Sequence, residues 1–207
     1  MPVETSNDSD SKSKIFKLFP NHATIIQRFE SLGFQTLPYV LWKKPTTRAK
    51  YKGKAVFLGS GFLPTNAYVT LDVEYILIFR KGGPRKFEPK DKVRYDSQYT
   101  KEQRDKWFSQ IWSDINGVRQ TIGESVRRSA SFPEEIPRRL IQMFSIKGDN
   151  ILDPFLGLGT TMKVAAELGR RCVGVEIDKS LRDLTLARID YYNPDSPIHK
   201  QGIKIAE

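Results

Sequence analysis

Asn150-Ile151-Leu152-Asp153-Pro154-Phe155-Leu156-Gly157-Leu158-Gly159-Thr160-Thr161 has the grammar of a ligand-binding loop. A short apolar run ends in a carboxylate, two glycines follow, and a helical pattern begins. A strand over Asn150 to Leu152 delivers Asp153 to the carboxyl edge of a sheet, where open α/β folds place their ligands. Gly157 and Gly159 let the backbone turn tightly and approach a ligand, and Thr160 or Thr161 is placed to cap the helix running towards Gly169. Seventeen positions after Gly159, Glu176 closes a second apolar run, Cys172-Val173-Gly174-Val175-Glu176-Ile177, which reads as the next parallel strand. An acid at about that distance commonly holds ribose hydroxyls, so loop, helix, strand and acid compose a nucleoside-binding βαβ unit.

The loop chemistry narrows the nucleoside. A dinucleotide fingerprint asks for a small residue three positions after the second glycine, and Met162 stands there, which argues against NAD. A phosphate-binding loop needs a lysine after its last glycine, and Gly159-Thr160-Thr161 supplies none, which argues against ATP. Two acids around the loop suit a cationic cofactor.

The Asp-Pro-Phe-x-Gly-x-Gly-Thr form of Asp153 to Thr160, with Gly-Val-Glu-Ile-Asp at 174–178, resembles the cofactor signature of the S-adenosylmethionine-dependent DNA amino-methyltransferases. The likeness is to the subgroup whose cofactor motif lies near the C-terminus. It implies that Asp153, Phe155, Gly157, Gly159 and Thr160 line the methionine end of S-adenosylmethionine and that Glu176 holds its ribose. It also implies that Ser131, Phe132 and Pro133 close over the cofactor. The fold class it implies is α/β: an incomplete Rossmann-like methyltransferase sheet, made of the cofactor strand pair and a second strand pair, with a small mainly helical insert.

Composition is compatible with a DNA-binding protein. The 207 residues are 39% hydrophobic, enough for one domain with a sizeable core, and no apolar run approaches the length of a membrane helix. Residues 1–14 are polar and lack a secretory apolar stretch, and Cys172 is alone, so neither a disulfide framework nor a cysteine metal cluster is expected. These features point to the cytoplasm. Lys and Arg number 34 against 24 Asp and Glu, a net charge of +10, which favours a polyanionic partner. Double-stranded DNA is the partner that the resemblance implies.

In chain order, residues 1–14 read as a disordered tail. Residues 15–81 read as a helix and strand pair of the methyltransferase sheet. Ile25, Ile26, Phe29 and Leu32 recur at helical spacing before Gly33, then strands follow at Leu37 to Trp42 and Val73 to Phe79. Between them the segment Trp42 to Ala55 holds Lys43, Lys44, Arg48, Lys50, Lys52 and Lys54 without one acid, as a phosphate-tracking loop would, and the Gly59 to Gly61 turn follows. Residues 82–130, beginning Gly82-Gly83-Pro84-Arg85-Lys86, lack sheet character and read as the insert that the resemblance makes the target-recognition region. A helix over Lys101 to Ile115 there would put Trp107, Phe108, Ile111, Trp112 and Ile115 on one face as a small core. Residues 131–192 form the S-adenosylmethionine-binding βαβ region, ending in a helix from Ser180 to Tyr191 whose apolar face is Leu181, Leu184, Ala187 and Tyr191. Residues 193–207 read as a fraying tail.

One part of the implied enzyme is missing from this sequence. Such enzymes hold the target amine on a Ser/Asn/Asp-Pro-Pro-Tyr loop and flip the base, and no Pro-Pro occurs in the chain. Leu37-Pro38-Tyr39 and Asn193-Pro194-Asp195 lack the second proline, so no catalytic residue is assigned. The sequence reads as the cofactor-binding and DNA-recognition part of a methyltransferase of adenine N6 or cytosine N4, inactive alone and completed by a second polypeptide that carries the Pro-Pro-Tyr half. A catalytically inactive DNA-binding module of the same shape is the alternative, and the oligomeric state stays open.

Overall fold

In the computed structural model, which describes residues 19–44, 50–51, 54–55, 72–117, 121–122, 126–127 and 132–200, two sheets are bridged by one helix. Helix α1 (Asn21–Ser31) stops at Gly33, whose φ of 79° is a left-handed turn, and leads into β1 (Phe34–Lys43). A two-residue hairpin, β2 (Lys50–Tyr51) and β3 (Lys54–Ala55), precedes β4 (Val73–Lys81). Strands β1 and β4 form the predicted pair, and they run antiparallel, with a register shift between Leu37 and Val40. Pro38 lies within that shift and has no N–H to give the ladder. Helix α1 lies on one face of the pair through aromatic contacts: His22 stacks on Tyr75 at 4.1 Å and Phe29 on Phe79 at 4.5 Å. Ile25 and Leu32, expected to pack inwards, stay exposed.

The insert holds short strands as well as helices. It holds α2 (Lys92–Tyr95) and α3 (Lys101–Trp107), the latter closed at its start by a Thr100–Gln103 capping box. The predicted helix to Ile115 ends eight residues early, and β5 (Ile111–Trp112) instead pairs parallel with β1. Packing explains the switch. Trp112 is fully buried on the strand, stacked beneath the Arg139 guanidinium, and its Nε1 donates to the Trp107 carbonyl at 2.9 Å. Trp42 Nε1 donates to the Ile115 carbonyl at 3.0 Å. Burying both indoles with their N–H groups satisfied outweighs the modest helical preference of a single amphipathic face. Trp42 and Trp112 form a core with Val40, Ile115 and Ile136 that belongs to the main sheet, whereas Trp107 is buried outside it and Phe108 and Ile111, expected on the same apolar face, stay exposed. A further strand pair, β6 (Thr121–Ile122) and β7 (Val126–Arg127), also lies in the insert.

Helix α4 (Glu135–Phe144) leads to β8 (Asn150–Asp153), α5 (Thr160–Glu167) and β9 (Arg171–Gly174), and β8 pairs parallel with β9 in the predicted βαβ arrangement. A 3-10 turn at Lys179–Leu181 and α6 (Arg182–Arg188) replace the single long helix, and α7 (Pro197–Lys200) follows. Of the predicted stripe Leu181 is buried and Tyr191 packs against the core around α5, but Leu184 and Ala187 face solvent, and Thr185, Leu186 and Ile189 are buried in their place. Of the tail, residues 194–200 pack rather than fray, since Ser196 and Ile198 are buried and Ile198 joins the core around α5, and residues 201–207 lie outside the described residues. That core includes Val164, Ala165 and the lone Cys172, whose thiol burial pushes up to about 12, leaving it protonated and inert at neutral pH.

Helix α4 joins the halves, giving Ile136 to the tryptophan core and Ile141 to the α5 core. It is tied to α5 by Glu134–Lys163 at 2.8 Å and Arg138–Glu167 at 2.6 Å, and to the insert by buried Arg139, which pairs with Asp114 at 2.5 Å. Beside α4 lies a cavity of about 610 Å³, lined by the consecutive β4 residues Ile76 to Arg80, by Ile151 of β8, and by α4 itself. Among the described residues β4 pairs only with β1, and β8 only with β9. Each therefore presents one open edge. The face of the β8–β9 pair away from α5 is also uncovered, with Leu152 65% and Val173 60% exposed, although parallel sheets are ordinarily covered on both faces. Among the described residues no helix is long and apolar enough to cross a membrane.

Candidate cofactor site and nucleic-acid interface

The loop after β8 is built by hydrogen bonds within the βαβ unit. The Asp153 carboxylate accepts the Phe155 N–H at 3.1 Å, an Asx-type turn that redirects the chain at Pro154. The Leu156 N–H donates to the Val175 carbonyl at 2.8 Å, and the Val175 N–H to the Asp153 carbonyl at 2.9 Å, so the loop lies across the end of β9. Strand β9 ends at Gly174, two residues short of the predicted terminus, which leaves Glu176 in the following turn. There its carboxylate accepts the Gly157 N–H at 2.8 Å and the Asp178 N–H at 2.9 Å. Each oxygen keeps a lone pair for a further donor such as a ribose hydroxyl.

Both glycines hold left-handed backbone, φ 54° at Gly157 and 76° at Gly159. Their surroundings differ. A Cβ on Gly157 would meet only the Phe155 carbonyl at 4.0 Å, whereas one on Gly159 would fall 2.7 Å from Ile189 Cγ2 and 3.1 Å from Thr185 Cγ2. The loop is thus open at Gly157 and backed by α6 at Gly159. Gly159, in left-handed geometry, is itself the N-cap of α5, and no side chain caps that helix, so neither Thr160 nor Thr161 has the capping role expected of them. Thr160 is buried in the first turn, and Thr161 lines the cavity. Phe155 projects, 88% exposed.

The structure therefore gathers Asp153, Phe155, Gly157, Gly159, Thr160 and Glu176 about one loop. Phe132 lines the cavity that Thr161 also lines, and the Pro133 carbonyl accepts the Ile136 N–H at the start of α4; Ser131 lies outside the described residues. Two carboxylates, free backbone faces and no lysine in the loop make a donor set that fits a cationic, hydroxyl-bearing nucleoside and disfavours a polyphosphate. Among the described residues no group of His, Cys, Asp and Glu could hold a metal ion. Thr185 is the participant that the sequence reading passed over: its hydroxyl donates to the Gly157 carbonyl at 2.9 Å. A threonine four residues after Leu181, on the buried stripe, was the available signal.

The predicted DNA-contacting residues are dispersed. Lys43 is exposed at the end of β1, while the Lys44 ammonium pairs with Glu74 at 2.7 Å. Lys50 and Lys54 belong to the β2–β3 hairpin, and Arg48 and Lys52 lie outside the described residues, as does the Gly59 to Gly61 turn. Lys86 is exposed. Arg85 is engaged elsewhere: its Nη1 reaches both oxygens of Asp149, at 2.9 and 2.8 Å, and its guanidinium lies over Phe87, tying the insert to the turn before β8.

An acidic, glycine-turned loop at the carboxyl end of a parallel strand pair defines a Rossmann-type site for a nucleoside cofactor. Comparison with known proteins gives the family: the N6/N4-type model described as DNA methylase matches residues 6–187, and the chain belongs to that family. It is 63% identical over 186 residues to the type II methyltransferase M.MjaI of Methanocaldococcus jannaschii, covering 88% of this chain and 59% of that protein. It is 46% identical to the type II methyltransferase M.MthZI of Methanothermobacter thermautotrophicus, covering 89% and 52% respectively. The chain thus spans little more than half the length of these relatives. Among solved structures, a Thermus thermophilus protein described as a DNA modification methylase, complexed with S-adenosyl-L-methionine, matches with a TM-score of 0.67 and 34% identity over 87% of this chain and 63% of that one. The cytosine-N4-specific PvuII DNA methyltransferase shares the fold, at a TM-score of 0.56 and 17% identity over 93% of this chain and 63% of that one.

Proposed function

We propose that this chain is the cofactor-binding and DNA-recognition part of a site-specific DNA methyltransferase acting on an exocyclic base amine, adenine N6 or cytosine N4. S-adenosylmethionine, when bound, supplies an electrophilic methyl group on a sulfonium. Asp153 and the loop to Thr160 hold its methionine end, Glu176 accepts its ribose hydroxyls, and Ser131, Phe132 and Pro133 close over it. The two carboxylates favour the positive charge of the donor and exclude phosphates. Lys43, Arg48, Lys50, Lys52, Lys54 and Lys86 contact the DNA backbone, with Lys44 and Arg85 in the same role once released from Glu74 and Asp149.

A second polypeptide, carrying the Pro-Pro-Tyr loop, completes the enzyme. The observation that carries this reading is the pair of open strand edges, β4 and β8, flanking one apolar cavity of about 610 Å³. Unpaired backbone on both edges and the bare Leu152–Val173 face call for strands between and a layer above. Donor binding alone does not activate an amine: positioned acceptor groups must polarise it, and they come with the added strands.

The test is complementation. The chain is co-expressed with the part of the M. jannaschii relative that it leaves unmatched, and methyl transfer from labelled S-adenosylmethionine to duplex DNA is measured. Transfer is expected only from the pair, and it is lost with Asp153→Ala or Glu176→Ala. Robust transfer by the chain alone overturns the split reading.

A further inference from the structure

We infer that Thr185 is a positioning residue of the cofactor loop, acting from behind it through the Gly157 peptide. The inference rests on the cofactor site proposed above. Its basis is a two-sided grip on one residue. The Gly157 N–H is taken by the Glu176 carboxylate at 2.8 Å, and the Gly157 carbonyl accepts the Thr185 hydroxyl proton at 2.9 Å. Thr185 is 6% exposed on α6, so water cannot readily replace that bond. The same side chain does a second thing: its Cγ2 stands 3.1 Å from where a Gly159 Cβ would be. One threonine thus fixes the carbonyl of the first glycine and backs the second.

The loop needs such an anchor. A glycine pair in left-handed geometry loses more backbone freedom on ordering than any other pair of residues. If that cost fell at binding, it would weaken the cofactor site directly. Glu176 holds the loop on the side open to ligand, and its lone pairs are shared with whatever binds there. Thr185 holds it from the α6 side, where no ligand competes. Removing the hydroxyl takes the Thr185 donor from the Gly157 carbonyl and frees the peptide to rotate.

The variants are Thr185→Val, which keeps the branched shape and removes the hydroxyl, and Thr185→Ser, which keeps the hydroxyl. Amide hydrogen exchange is read on the full chain without cofactor at Leu156, Gly157 and Gly159, all of which donate hydrogen bonds. The valine variant is expected to exchange about tenfold faster at these amides, with the cores around α5 and Trp112 unchanged, and the serine variant to match the wild type. In the complemented enzyme the valine raises the KM for S-adenosylmethionine about tenfold, raises the Kd for S-adenosylhomocysteine alike, and leaves kcat within about twofold. Where valine impairs folding, Thr185→Ala against Thr185→Ser gives the same comparison. Unchanged loop exchange in valine, serine as loose as valine, or faster exchange throughout the chain overturns the inference. A wild type that binds no S-adenosylhomocysteine overturns the cofactor reading instead, and the exchange arm, which needs no ligand, tells the two failures apart.

Discussion

At the scale of single residues, the two loop glycines serve different ends. Both adopt positive φ, but Gly157 faces open space and Gly159 is pressed against Ile189 and Thr185. Gly157→Ala therefore costs left-handed strain alone, about 1 kcal/mol. Gly159→Ala adds overpacking against two side chains of a buried helix face, for a total of about 2–4 kcal/mol. Urea unfolding of the two variants checks the order, and equal costs would mean that α6 does not back the loop. Glu176 shows a related economy, because its carboxylate both orders the loop and keeps capacity for a ribose.

At the scale of elements, the joint between insert and cofactor region is the Arg139 cluster. Arg139 is 1% exposed, bonded to Asp114 and Glu135 and stacked on Trp112, so it welds β5 to α4. The Arg139 hydrogen bond, with help from Lys106, holds the Asp114 carboxyl well below the usual carboxylate range, against the opposing effect of burial. A depressed folded-state pKa contributes stability above the unfolded value, about 3.9, and that stability is lost as pH falls through the folded value. Asp114→Asn is thus expected to flatten the acid limb of the stability profile below about pH 4. At pH 7 it costs on the order of 1–3 kcal/mol, less than a fully buried pair because Asp114 is partly solvated. Thermal unfolding between pH 2 and 7 reads both. An unaltered acid limb would place the acid sensitivity elsewhere, with Asp149 the next group, since the Ile146 N–H and Arg85 hold its carboxyl low in spite of burial.

At the scale of the whole molecule, charge bears on the proposed DNA partner. A net +10 on 207 residues favours a polyanion, and two of the cations, Lys44 and Arg85, are bonded to Glu74 and Asp149. In the complemented enzyme, neutralising Lys50, Lys52 and Lys54 together is expected to reduce the slope of log K for DNA against log salt by about 2–3 units. Neutralising Lys44 alone changes it by less than about one unit, because an ion pair already neutralises that charge. Fluorescence anisotropy over a salt series measures both, and an unchanged slope in the triple variant would assign these lysines to solubility.

The sequence by itself determined the cofactor unit, because every part of it is local: Asp153, the two glycines, α5 and Glu176 lie within 24 consecutive residues, and spacing alone fixes their order along a βαβ path. It also determined the β1–β4 pair, where long apolar runs leave little choice of state. What only the tertiary structure decided rests on distant contacts. Residues 108–115 carry a helical apolar pattern, yet Trp112 belongs to a strand because β1 offers it an edge and Arg139 a stacking partner, 27 residues away in the chain. Ile198 is buried because α5 offers a core, and the phase of α6 is set by Gly159 beneath it. Periodicity reports which face a segment could bury. Which face it does bury depends on the surface that arrives to cover it, and Thr185 of α6 owes its place against the loop to that.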